Sequence, residues 1–326
     1  MKKVLIAILL LGLLPHASAD YIHWVDFRLS APVLRSALEL DMASQGGEQP
    51  LDWIDILALA AAWRGGTGVT VADTQRAAQA LRGDTPPERL PGMAGRYFSY
   101  YREAYGAALG GLAGHFAIRR TDPQTGEAEW IPAYGLKAFS PIAAGYPWSH
   151  YPDFGAQRSY GYARPHLGND ILGALGTPIC AVDGGTVEAL GWNRYGGWRI
   201  GIRSDDRKRY YYYAHLRKDA PYAEGLAVGQ RVQAGDGIGF MGRTGYSAQE
   251  NVNNIETVHL HFGLQLIFDE SQKECDSEIW IDVYPIIELL ASHCSSVARD
   301  PQTGRWERLY PYCDLDAEPL RSAAAR

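Results

Sequence analysis

The sequence predicts an α+β chain: a small α-helical region first, then a mainly antiparallel β-sheet domain. Three observations carry that expectation. Leu51 to Arg64 is apolar at near-helical spacing and is stopped by Gly65-Gly66. Beyond Tyr160 the pattern changes to short β-prone runs separated by turn residues, as antiparallel sheets require. In the last of those runs, Thr257-Val258-His259-Leu260-His261-Phe262-Gly263-Leu264, two histidines sit at alternate positions. On a strand they share a face roughly 6.6 Å apart, so one imidazole can hold a metal while the other works beside it.

In chain order, the first nineteen residues read as a processing signal. Lys2 and Lys3 form a positive start, Val4 to Leu14 an apolar core, and Ala17-Ser18-Ala19 a small-residue cleavage site. An eleven-residue apolar run is shorter than the ~20 residues that span a bilayer, so no membrane span is expected after cleavage. Loss of Lys2 and Lys3 takes the formal charge from −6 to −8. An acidic chain without a polybasic run does not suit nucleic acid as a partner. Apolar residues make up 46% of the chain, the proportion of an ordinary globular protein.

Residues 20–115 are expected to be helical, with Asp73 to Arg82 and Glu88 to Leu112 following the Leu51 run. Tyr97, Tyr100, Tyr101 and Tyr105, three or four residues apart, make a packing stripe. His115 to Arg120, a turn at Asp122 to Gly126 and Glu129 to Tyr134 predict a β-hairpin. Within 116–157 a Pro-, Gly- and Tyr-rich connection then leads towards the sheet. Strands are expected at Pro178–Val182, Thr186–Leu190, Trp198–Arg203, Arg209–His215, Gly229–Met241 and Val258–Ile267, and a short helix at Ile279–Leu290. Val228 to Asp236 resembles biotinyl and lipoyl carrier segments, but the tight turn has Gly184-Gly185 where a carrier needs an exposed lysine. Residues 292–326 form a tail, and its turn at Asp300 to Gly304 favours a Cys294–Cys313 disulfide, with Cys275 the competing partner and Cys180 a buried thiol.

His166-Leu167-Gly168-Asn169-Asp170 supplies an imidazole and a carboxylate four residues apart. Both are ordinary zinc ligands, and catalytic zinc takes three protein ligands while leaving a position for water. His166, Asp170 and one histidine of the later pair complete that count, with His215 in Tyr213-Ala214-His215-Leu216 as a further candidate. Taken singly, each of these motifs is more often a hydrogen-bonded surface or core group. No His-Glu-x-x-His occurs, so a glutamate base of that type is absent.

Residues 158 to 270 resemble the lysostaphin-type or LytM-type zinc metallopeptidases that cut peptidoglycan. The resemblance rests on His166-Leu-Gly-Asn-Asp170, Gly176-Thr-Pro-Ile-Cys-Ala181, Tyr213-Ala-His-Leu216, Val232-Gln-Ala-Gly-Asp-Gly-Ile-Gly239 and His259-Leu-His-Phe-Gly263, in that order. It implies a LytM-like (duplicated hybrid motif) domain over 158–291. It implies one Zn2+ held by His166, Asp170 and His261, with His215 and His259 acting on the substrate side. Zinc would polarise a bound water and the scissile carbonyl, and imidazoles that titrate near neutrality would handle protons. The substrate expected is a peptidoglycan stem-peptide cross-link, D-alanyl to diaminopimelate, in the periplasm or outside the cell. Two other readings are an inert LytM-like adaptor that activates a wall amidase, and a zinc peptidase for non-wall peptides. Tyr160, Tyr162, Trp192, Tyr195, Trp198 and Tyr210 to Tyr213 are candidate groove walls, the four consecutive tyrosines facing alternately. Tyr246 to Glu256, a long polar loop before the last histidines, is expected to set specificity or cover the site.

Overall fold

The computed structural model describes residues 21–273 and 277–317. The expected signal segment and Cys275 lie outside the described residues.

Four helices come first: α1 (Ala31–Ser44), α2 (Trp53–Arg64), α3 (Val71–Leu81) and α4 (Met93–Leu109). Local chemistry sets their ends. Asp52 caps α2 by accepting from the Ile54 amide, Gly65 ends it at φ 63°, and Thr70 and Asp73 form a capping box on α3. Because α2 is apolar all round, it becomes the buried centre of the helical region, with Ile56 to Ala62 fully buried. Buried Asp41 accepts from the Trp53 amide at 3.0 Å and from the Tyr134 hydroxyl at 2.9 Å, which joins α1 to α2 and to the following hairpin. The tyrosine stripe behaves as packing: Tyr101 and Tyr105 are buried and only Tyr97 is exposed.

The hairpin is β1 (Ala113–Thr121) and β2 (Ala128–Leu136). Then come β3 (Trp148–His150), β4 (Gln157–Arg158), β5 (Arg164–Pro165), β6 (Asn169–Gly173), β7 (Pro178–Cys180), β8 (Gly185–Asn193), β9 (Gly197–Ser204) and β10 (Arg209–Ala214). The chain continues through β11 (Arg231–Val232), β12 (Gly237–Phe240), β13 (His259–Leu266), β14 (Ile279–Trp280), α5 (Tyr284–Leu290), β15 (Val297–Arg299), β16 (Trp306–Arg308) and β17 (Tyr312–Asp314). The main sheet runs β11-β8-β9-β10-β13-β6-β3, with β14 also on β13, and every pairing is antiparallel. The predicted α+β class, helices followed by a mainly antiparallel sheet, is the observed one.

Helices and sheet share one apolar core. Arg209 on β10, itself buried, donates to the Ala107 carbonyl at 3.0 Å, which satisfies an orphan acceptor at the C-terminus of α4. Its charge is balanced by Asp206 at 3.1 Å and Asp183 at 3.6 Å. Among the described residues, no helix is long and apolar enough to cross a membrane.

Two expectations are corrected. Ile279–Leu290 is a two-residue strand followed by a shorter helix, because Ile279 and Trp280 pair with Leu266 and Gln265 before Pro285 opens α5. The Cys294–Cys313 disulfide is not formed: Cys180, Cys294 and Cys313 carry free thiols. The turn at Asp300 to Gly304 does fold the chain back, but it pairs β15 with β16 and stops short of the cysteines. Cys313 lies on β17 opposite Ala117, in a three-stranded sheet with the hairpin. Its neighbour Tyr312 packs against Phe139, whose ring stacks on His293 beside Cys294. Alternation along the strand therefore turns Cys313 to the opposite face.

Candidate metal centre

Three strands bring the histidines and the aspartate together. On β13, His261 stands opposite Asp170 of β6 and Ala214 of β10, so the three side chains emerge on one face. His259, two residues earlier on β13, shares that face, as the alternation predicts. His166 precedes β6 and reaches the same point because Gly168 lets the chain pass close beneath it. A Cβ on Gly168 would lie 2.6 Å from the Phe262 carbonyl oxygen and 2.7 Å from the His261 ring. The glycine of the His-Leu-Gly-Asn-Asp run is thus a requirement of close approach.

His166 Nε2, Asp170 Oδ1 and His261 Nδ1 form a tight triangle with edges of 3.0, 3.2 and 2.7 Å. Bonds of ~2.0–2.1 Å in a tetrahedral site would separate such ligand atoms by roughly 3.3 Å, so this group fits one small cation. Of the described residues, these three are the histidine, cysteine and acidic groups gathered closely enough to hold a metal ion. Two ring nitrogens and a carboxylate oxygen suit zinc.

A second layer orients the triangle. The Nδ1 of His166 faces Asp153, 3.1 Å from its carbonyl oxygen and 3.2 Å from its carboxylate, which holds a proton on Nδ1 and turns Nε2 inward. Asn169 Nδ2 donates to Asp153 Oδ1 at 2.9 Å, and Arg158 Nη2 donates to Asp153 and Asp170, each at 2.9 Å. Burial opposes charge on His166, yet Asp153 and Asp170 outweigh it and raise its pKa to about 9. Asp170 is also buried, but hydrogen bonds from His166 and His261 hold its carboxyl far below the ordinary range. Burial lowers His261, against the pull of Asp170.

The other two histidines are held differently. His215 leaves the end of β10 with φ 61°, and its Nδ1 lies 2.9 Å from the Thr244 carbonyl oxygen. His259 Nδ1 lies 2.9 Å from the Thr257 carbonyl oxygen. A carbonyl only accepts, so both rings carry their proton on Nδ1 and offer the Nε2 lone pair. Their rings are 4.8 Å apart, and His259 Nε2 stands 3.7 Å from Asp170 Oδ1, outside the triangle. Burial, with His259 and His261 adjacent, holds His215 well below the ordinary histidine pKa.

All five sequence candidates converge here. Asp153 and Arg158, which orient the triangle, were missed: they lie in the Pro-, Gly- and Tyr-rich connection, and no local motif marks them. Among the candidate groove walls, Tyr195, Tyr210 and Tyr212 line a cavity of about 260 Å³ beside the triangle, whereas Tyr211 and Tyr213 are buried in the core. Tyr246, at the head of the long polar loop, lines the same cavity. The loop itself is pinned, since Asn251 accepts from the Trp198 indole at 2.9 Å and from the Asp219 amide at 2.9 Å.

The family model for peptidase family M23 matches residues 164–274, which contain all five candidates. An L-Ala--D-Glu endopeptidase of Bacillus subtilis is 39% identical over 130 residues, 40% of this chain and 38% of the relative. The glycyl-glycine endopeptidase ALE-1 of Staphylococcus capitis is 38% identical over 98 residues, 30% of this chain and 24% of the relative. A peptidoglycan DD-endopeptidase, ShyC, of Vibrio cholerae is 30% identical over 102 residues, 31% of this chain and 20% of the relative. The likeness thus covers less than two fifths of each relative's own length. Through residues 164–274 the chain is thus similar to peptidase family M23.

Proposed function

We propose that this protein is an extracytoplasmic zinc endopeptidase that hydrolyses peptide cross-links of peptidoglycan, with the D-alanyl to diaminopimelate bond as its substrate. The observation that supports it best is the triangle of His166 Nε2, Asp170 Oδ1 and His261 Nδ1 in the lining of a cavity. These three residues would hold the metal, which when bound would lower the pKa of a water and polarise the scissile carbonyl. Every one of the three relatives named above is called an endopeptidase, and one is called a peptidoglycan DD-endopeptidase.

The remaining chemistry falls to His215 and His259. With Nε2 unprotonated, either can take the proton of the attacking water and then deliver it to the departing amine. Their carbonyl anchors keep the rings in that tautomer through both transfers. Asp153 and Arg158 position without touching substrate, Asp153 by orienting His166 and Arg158 by holding the outer oxygen of Asp170. Tyr195, Tyr212 and Tyr246 would flank the peptide.

The test is incubation of the purified protein, with and without chelator, with defined cross-linked muropeptides, products being identified by mass. Cleavage between D-alanine and diaminopimelate that stops with chelator is the expected result. Cleavage at another bond would move the substrate assignment. No metal-dependent cleavage of any wall preparation would leave the adaptor and the non-wall peptidase as the surviving readings.

A further inference from the structure

Arg199 belongs to the same sheet face as the metal triangle. On β9 it precedes Gly201 by two residues; Gly201 stands opposite Tyr212, and Tyr212 opposite Gly263, two residues beyond His261. Alternation puts all of these side chains on one side of the sheet. Across the strands, His261 faces Ala214, and the residue before Ala214 faces Ile200, so the next step along that row is Arg199. Two strand spacings, ~9.5 Å, separate the His261 and Arg199 backbones. Ala214 stands between them in the row, and Ala214, Arg199 and His261 all line the cavity.

Around it, the other cations are engaged. Arg164, which also lines the cavity, donates to the Tyr160 carbonyl at 2.9 Å and lies over the Tyr195 ring at 4.6 Å. Arg158 holds Asp153 and Asp170, Arg203 holds Glu270 at 2.7 Å, and Lys273 holds Glu188. The cavity's Glu278 accepts from the Trp280 indole at 2.7 Å. Arg199 forms no ion pair with a described residue, and its Nε is buried without a hydrogen-bond partner. With no ion pair to neutralise it, the guanidinium keeps its charge available to an anion in the cavity. A guanidinium presents a planar fork that matches a carboxylate.

We infer that Arg199 binds a free carboxylate on the substrate residue that supplies the amine of the scissile bond. A carboxylate on the carbon next to the scissile nitrogen lies roughly 4 Å from the scissile carbonyl by bond lengths. A peptide carbonyl at the triangle therefore places that carboxylate over Ala214, within reach of an arginine rooted two strands away. Diaminopimelate linked to D-alanine carries such a group, as does a γ-linked D-glutamate; glycine within a glycyl bridge does not. The inference rests on the peptidase reading for its substrate class and deepens it by excluding bridges without a carboxylate at that position.

The experiment compares two cross-linked peptide dimers that differ only in whether this carboxyl is free or amidated. Initial rates are taken with the zinc-loaded protein and its Arg199→Gln and Arg199→Lys variants, and equilibrium binding with the zinc-loaded His259→Ala protein, with and without Arg199→Gln. The free acid should bind about ten- to hundredfold more tightly than the amide. Arg199→Gln should remove that preference through KM while zinc content stays unchanged, and Arg199→Lys should restore part of it. Equal binding of acid and amide, binding of neither, or an equal loss on both in Arg199→Gln would overturn the inference, whether or not cleavage occurs. Acid-selective binding that depends on Arg199, without cleavage, would uphold the inference and overturn the peptidase reading.

Discussion

The two halves of the site are built on different physics. His166, Asp170 and His261 are fixed by charge: Asp153 and Arg158 surround them, and every edge of the triangle is within hydrogen-bonding distance. His215 and His259 are fixed by neutral contacts, one backbone carbonyl each. A charged, over-determined cluster suits a permanent cation, because its ligands are oriented before the ion arrives. A pair of imidazoles, each anchored through Nδ1 alone, suits proton transfer, where the group must change state and return.

Substitutions can separate the halves. His166→Ala should abolish zinc binding and reduce cleavage by on the order of a thousandfold or more, with metal content measured on the purified protein. His259→Ala should keep zinc and lose turnover by about 10²- to 10⁴-fold. Equal zinc loss in both variants would break the comparison and make His259 a ligand. Asp153→Asn keeps the shape but removes the charge that orients His166. Zinc affinity should fall about ten- to hundredfold in a competitive chelator titration. Arg158→Gln should have the smallest effect, a several-fold weakening of zinc affinity, because Arg158 is part-exposed and reaches, besides Asp153, the outer oxygen of Asp170 and not the one in the triangle. If Arg158→Gln weakened zinc more than Asp153→Asn, orientation of Asp170 would be the controlling contact.

A similar contrast separates what a sequence reader can see from what is hidden. His259 and His261 share a face that strand periodicity announces, and His166, Asp170 and His215 sit in short motifs that mark them as candidates. Asp153 has no such neighbourhood. It reaches His166 across thirteen residues of irregular chain, and that proximity follows from the sheet pairing of β3 with β6, which no local pattern encodes. In the helical region the α2 run was legible because apolar spacing and a terminal glycine suffice. Its burial on all sides required the packing of α1, α3 and α4 around it. The disulfide expectation failed for the same reason: a turn predicts that the chain reverses, but strand register decides which face each cysteine takes.

Composition and periodicity by themselves determined the α+β class and most strands, since each depends on neighbours a few positions away, while the five site candidates came from the resemblance of short motifs. Tertiary structure alone decided the rest. It selected His261 over His259 for the triangle by pairing it opposite Asp170. It tied α4 to the sheet through the Arg209 side chain. It also set Arg199 in the lining of the cavity, two strands from His261, because antiparallel register aligns side chains that are distant in sequence on one face.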